Sequence, residues 1–168
     1  MSIETERLVL RLPLAEDEEA FIDLFSDSET QKWNGGALTS AQARKRFIET
    51  HDQIDFKLRL EFAVTLKDLN QMIGIVGFSS LGSSSNDAAY GFSIHSRHWN
   101  RGYGREAGTA VWKATMAKAR SEVIVANSHV DNLRSHRLLR SLGFEPVKQE
   151  GDWVQFETKH PDAPFRLK

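Results

Sequence analysis

The stretch Trp99-Asn100-Arg101-Gly102-Tyr103-Gly104-Arg105-Glu106-Ala107 sets two glycines around one tyrosine, after an alternating run from Ala89 to Ile94. A helix-compatible segment from Arg105 to Arg120 follows. Glycine takes up backbone conformations that a Cβ would forbid, so several N–H groups can converge in such a turn beside the positive end of a helix dipole. That combination suits a pyrophosphate, although a glycine pair before a helix also serves as a plain connector. A second pair with chemical reach is Asn132 and Ser135. At that spacing near the N-terminus of a helix, an amide and a hydroxyl point toward the same ligand.

These groups need elements to position them, and the flanking residues supply the signals. Val123-Ile124-Val125 reads as a strand, Asp131 or Asn132 as the N-cap of a short helix, Leu138, Leu139 and Leu142 as its buried stripe, and Gly143 as its stop. Toward the N-terminus, Leu8, Leu10 and Leu12 alternate as in a strand. Pro13 and the acids from Glu16 to Glu19 then open a helix that turns Phe21, Leu24 and Phe25 inward. Thr39 or Ser40 can cap a second helix running through His51. Glu61 to Leu66 and Gln71 to Phe78 read as paired strands, Ser79 to Asn86 as a loop, and Pro146 to Gln149 with Trp153 to Thr158 as a final pair. Trp33-Asn34-Gly35-Gly36 reads either as a lid over an acceptor or as a turn whose tryptophan belongs to the core. Strands and helices in this order predict a mixed sheet covered by helices.

Composition narrows the class. A chain of 168 residues with 40% hydrophobic content can fill one core, and a formal net charge of −1 gives no basic field for nucleic acid. No apolar run approaches the roughly 20 residues that span a bilayer, and no charged, apolar and small-residue leader opens the chain, so a cytoplasmic protein without membrane partners is expected. The absence of cysteine excludes disulfides, thiolate metal sites and a cysteine nucleophile. His95 and His98 lack a nearby acid to complete a metal set, and His129 and His136 read as surface residues, so no metal is expected.

The glycine turn and its helix, followed by Asp131-Asn132-Leu133-Arg134-Ser135 and Leu142-Gly143-Phe144, resemble the GNAT superfamily of N-acetyltransferases. Glu4-Thr5-Glu6-Arg7-Leu8-Val9-Leu10-Arg11 is similar to the first strand of its ribosomal-protein N-acetyltransferase-like branch, and Met72-Ile73-Gly74 to that branch's second hairpin. The resemblance implies a single α/β domain over residues 1–168: a mixed, mostly antiparallel sheet with a splayed strand pair and about four helices. It implies acetyl-CoA as cosubstrate and a primary amine as acceptor, either a protein N-terminus or a small molecule. The chain would be a monomer or homodimer. The pyrophosphate would lie on Arg101, Gly102, Tyr103, Gly104, Arg105 and Glu106, and the pantetheine arm along Phe92, Ser93 and Ile94, with Asn132 contacting the arm or capping its helix. Gly91 would help that strand bend.

The acceptor amine, with a pKa of about 7.7–8.0 or about 10.4, must lose a proton before it attacks. Glu61, where the resembling branch can place a carboxylate facing the acceptor, and His95, with an intrinsic pKa near 6.5, are the candidate bases. Both also fit bland roles, a solvated strand-edge acid and a loop histidine. The resemblance implies that Ser135 protonates the leaving thiolate, a role compatible with helix capping. An acyl-CoA-binding or interaction module without turnover is the alternative.

Overall fold

The computed structural model describes residues 2–52, 59–79, 88–116 and 123–159. Among these, the strands are β1 (Ser2–Glu4), β2 (Leu8–Arg11), β3 (Arg59–Leu66), β4 (Gln71–Ser79), β5 (Ala88–Ile94), β6 (Val123–His129), β7 (Glu145–Glu150) and β8 (Trp153–Lys159). The helices are α1 (Glu18–Ser26), α2 (Ser28–Gln31), α3 (Ser40–Asp52), α4 (Tyr103–Met116) and α5 (Leu133–Ser141). The strands form one sheet in the order β1-β2-β3-β4-β5-β6-β8-β7. Every neighbouring pair is antiparallel except β5 with β6, which is the mixed, mostly antiparallel arrangement expected.

Period-two alternation explains how the sheet carries helices on both faces. Phe62 and Val64 of β3 join the core shared with Ala107 and Val111 of α4 and Leu138 and Leu139 of α5. Ala63, between them, joins Phe21, Leu24 and Phe25 of α1 and Ala43 and Phe47 of α3. Each fully buried phenylalanine contributes about 1.5–3 kcal/mol by leaving water, and Phe21, Phe62, Phe144 and Phe156 are all at 0% exposure.

Local signals place most boundaries. Asn132, rather than Asp131, caps α5 by accepting the Ser135 N–H at 3.3 Å, and Gly143 ends it at φ +89°. Thr39 caps α3 through Gln42 N–H, with the Gln42 side chain returning to Thr39 N–H. Two expectations are corrected. The Glu4 to Arg11 strand is broken into β1 and β2, because the Thr5 hydroxyl takes the Leu8 N–H at 3.0 Å and closes a turn. Helix α4 starts at Tyr103 rather than Arg105, and its expected end near Arg120 lies outside the described residues. With the four-residue α2 the helices number five among the described residues, in keeping with the about four expected. The expected Ser79 to Asn86 loop also lies outside the described residues except for Ser79, which ends β4.

Gly74 lets β4 pass close to β5. A Cβ there would sit 2.3 Å from Ser93 O and 3.0 Å from Ile94 Cα, both backbone atoms. Gly91, in contrast, faces open space. Gly74→Ala is therefore expected to lower stability by about 1–3 kcal/mol by displacing β5, whereas Gly91→Ala should leave the thermal midpoint nearly unchanged. Thermal denaturation of the two variants checks this.

Candidate functional site

Strands β5 and β6 pair only at Ala88↔Ile124 and Ala89↔Val125. Beyond these pairs the strands part, and a cavity of about 440 Å³ opens between them. His95 donates its N–H to Ile73 O on β4 at 2.9 Å, and N–H direction alternates along a strand. Ser93, paired with Ile75, therefore also points its N–H at β4. Phe92 and Ile94 turn theirs into the opening. Of the three expected backbone donors, Ser93 is thus committed to the sheet, although it lines the cavity. The Ile94 carbonyl accepts the Trp99 indole N–H at 2.6 Å, which seats that ring over the end of β5.

The glycine turn forms one wall of the cavity. Gly102 has φ +82°, a conformation that L side chains rarely adopt, and Gly102, Tyr103, Gly104 and Arg105 all line the opening. Tyr103 to Arg105 begin α4, so their N–H groups precede any intrahelical partner. Arg101 and Glu106 do not line the cavity. The Arg101 carbonyl accepts Arg7 Nη1 at 2.9 Å, and the Glu106 N–H donates to Gly102 O at 3.0 Å.

The Glu106 side chain faces the N-terminal hairpin. Its carboxylate accepts the Thr5 hydroxyl at 2.6 Å and the Arg7 N–H at 2.9 Å, and pairs with the Arg7 guanidinium at 2.6 Å. Burial alone would raise its pKa, but the bonds from Thr5 and Arg7 outweigh that and hold it below the ordinary value. This contact bolts the glycine turn to the turn between β1 and β2.

Asn132 and Ser135 come together at the cavity as their spacing predicts. Asn132 Oδ1 is occupied by the Ser135 N–H, which leaves its amide NH₂ group for a ligand. Ser135 is 8% exposed. Glu61 and His95 are not brought to this cavity. Glu61 lies opposite Gly77 and, by parity with Ala63, on the sheet face that carries α1 and α3. His95 lines a neighbouring cavity beside α1. Its Nδ1 accepts the Arg97 N–H, and its Nε2 stands 3.2 Å from Asp23 Oδ2 without a hydrogen bond among the described residues.

Several lining residues escaped the sequence reading. Tyr90 and Ser128 are 4% and 3% exposed, and their hydroxyls have no hydrogen-bond partner among the described residues. Such orphaned groups beside a cavity fit a ligand rich in amides and hydroxyls. Burial pushes the Tyr90 phenol up, so it stays protonated. His98 lines both cavities, and its Nδ1 is likewise unpartnered. Burial first, then the charges of Arg101, His95 and Arg97, lower its pKa below the ordinary 6.5.

Thr30, Trp33 and Asn34 also line the cavity. Thr30 accepts the Ser96 N–H at 2.8 Å, and Asp27 holds both hydroxyls, which ties α2 and its N-cap to the segment after β5. Burial would raise the Asp27 pKa, but these bonds lower it overall. Trp33 stacks on His129 with centroids 4.5 Å apart, and His129 meets Trp153 at 5.9 Å. The lid reading of Trp33 fits this bridge across the opening.

Among the described residues, no group of three or more His, Asp or Glu could hold a metal, and no helix is long and apolar enough to cross a membrane. Glu106→Gln should destabilise the fold by about 1–2 kcal/mol at pH 7. Because the folded pKa of Glu106 is depressed, its contribution is present above the ordinary value of 4.5 and is lost as pH falls through the lower folded value. The difference in thermal midpoint from the parent should close in the same direction.

The sequence profile of the Acetyltransferase (GNAT) domain family matches residues 7–145. An uncharacterized N-acetyltransferase of Bacillus subtilis, YoaA, is 28% identical over 145 residues, covering 85% of this chain and 82% of that protein. In fold, the chain resembles ribosomal-protein-S5-alanine acetyltransferase from Vibrio fischeri at TM-score 0.77 and 21% identity, over 97% of this chain and 98% of that one. It also resembles spermidine N-acetyltransferase from Vibrio cholerae, solved with CoA and spermine, at TM-score 0.78 and 15% identity over 93% and 97% of the two chains. With a parted β5–β6 pair, a glycine turn opening α4 and the family profile spanning most of its length, the chain belongs to the GNAT acetyltransferase family and is an acetyl-CoA-dependent N-acetyltransferase.

Proposed function

We propose that the chain acts as a single domain that moves the acetyl group of acetyl-CoA to a primary amine, a protein N-terminus or a small molecule, by direct attack. The observation that carries this reading is the pair of inward N–H groups of Phe92 and Ile94, which share one cavity with Ser135 and the start of α4. Acetyl-CoA supplies the acetyl group, activated as a thioester. The N–H groups of Tyr103, Gly104 and Arg105, beside Gly102, hold a pyrophosphate at the positive end of the α4 dipole. Arg101 and Glu106 support the turn instead of binding.

Phe92 and Ile94 offer donors to the arm and to a carbonyl oxygen that gains negative charge. One such donor is worth about 2.7–4 kcal/mol in other acyl-transfer enzymes. The Asn132 amide binds the arm, and the Ser135 hydroxyl gives its proton to the departing sulfur. His98 takes the proton of the amine in place of Glu61 or His95, because its imidazole reaches the cavity and its lowered pKa keeps it neutral at pH 7.

Release of CoA thiol, measured against N-terminal peptides, polyamines, amino acids and aminoglycosides, tests this reading. Ser135→Ala should cut turnover by about 10²–10⁴-fold while calorimetric affinity for acetyl-CoA is kept. Binding without acceptor-dependent release by the parent protein would instead identify an acyl-CoA-binding module. The His98 role predicts an acid limb in kcat that lies below pH 6.5, since a base works only when deprotonated and its pKa is depressed. His98→Gln should remove that limb, and an unchanged profile would assign the proton to another group.

A further inference from the structure

We propose that the acceptor is an amine that also carries a carboxylate, and that Arg134 recognises that carboxylate. This deepens the acetyl-transfer reading and rests on it. Among the described residues, those lining the cavity include Arg105, Arg134 and Arg137 but no aspartate or glutamate. Arg105 follows the glycine turn, where phosphates are expected. The Arg134 guanidinium is held on an aromatic ring, 3.8 Å from the centroid of Trp99. The Lys32 ammonium approaches the same ring at 5.7 Å and Trp33 at 5.3 Å. Two cations thus converge on Trp99, in a cavity that Thr30, Trp33 and Asn34 also line.

The acids near this rim are already engaged. Glu29 pairs with Lys32, and Asp131 faces His129 at 3.7 Å. Among the described residues, no carboxylate pairs with Arg134. A guanidinium stacked on an aromatic ring is oriented yet keeps its in-plane N–H donors, the geometry that grips a carboxylate in bidentate fashion. A second ammonium, as in a polyamine, would meet the unpaired Arg134 guanidinium here.

The test compares kcat/KM within matched acceptor pairs. A peptide beginning Ser-Glu is set against Ser-Gln, free serine against serinamide, and spermidine serves as the polycation. The carboxylate-bearing member of at least one pair should be preferred by about tenfold, the scale of one charge-assisted hydrogen bond. The pair that responds tells a peptide side chain from a free amino acid. Arg134→Glu should erase that preference through KM, with kcat and the Kd for acetyl-CoA unchanged.

Equal use of neutral partners, preferred use of spermidine, survival of the preference in Arg134→Glu, or weakened acetyl-CoA binding in that variant would each overturn the proposal. In those cases the parent protein still turns over an amine, so the acetyl-transfer reading stands. If the parent turns over no amine while binding acetyl-CoA, both readings fall together.

Discussion

Everything at this site depends on the brevity of one strand contact. A parallel pair that continued along β5 and β6 would satisfy the N–H groups of Phe92 and Ile94 with the neighbouring strand. The pairing stops after Ala89↔Val125, and those donors are left facing a cavity. Backbone polar groups left unpaired in this way carry a cost that a ligand can relieve. An extended, amide-bearing chain is the natural partner, because it can supply what the missing strand residues would have supplied. The remaining sheet keeps the opening rigid. β4 pairs with β5 as far as Gly74↔Ile94, and β8 pairs with β6 along its whole length.

The parts that flank the opening are fixed by polar contacts distant in sequence. Glu106 reaches Thr5 and Arg7 and so anchors the start of α4 to the first hairpin. The Asp27, Thr30 and Ser96 hydrogen bonds tie α2 and its N-cap to the segment after β5. Trp33, two residues beyond α2, then stacks on His129 at the end of β6. The glycine turn and the segment that carries Trp33 are therefore each anchored by contacts from outside the cavity.

How much of this was readable in the sequence depended on how local the determining interactions are. Helix α5 was legible because its cap at Asn132, its stripe at Leu138 and Leu139 and its stop at Gly143 all lie within a dozen residues. The glycine turn and the Asn132–Ser135 pair were legible for the same reason. Helix α2, with four residues, is too short to show a period. The break between β1 and β2 turns on a single threonine hydroxyl inside an otherwise strand-like run. That Glu61 lines neither cavity and His95 only the neighbouring one was not legible, since a residue's face is set by parity against the packed core. Ala63 in the α1–α3 core shows which face Glu61 shares. The roles of Arg134, His98 and Trp33 depend on contacts between segments that only the folded chain brings together.

The most direct test of the central claim is amide hydrogen exchange, resolved by residue along β5, with and without acetyl-CoA. The account predicts that acetyl-CoA slows exchange at Phe92 and Ile94 and leaves Ser93, already paired with β4, nearly unchanged. Equal effects at all three amides, or protection elsewhere with none at Phe92 and Ile94, would contradict the claim that the parted strands form the acetyl-CoA site.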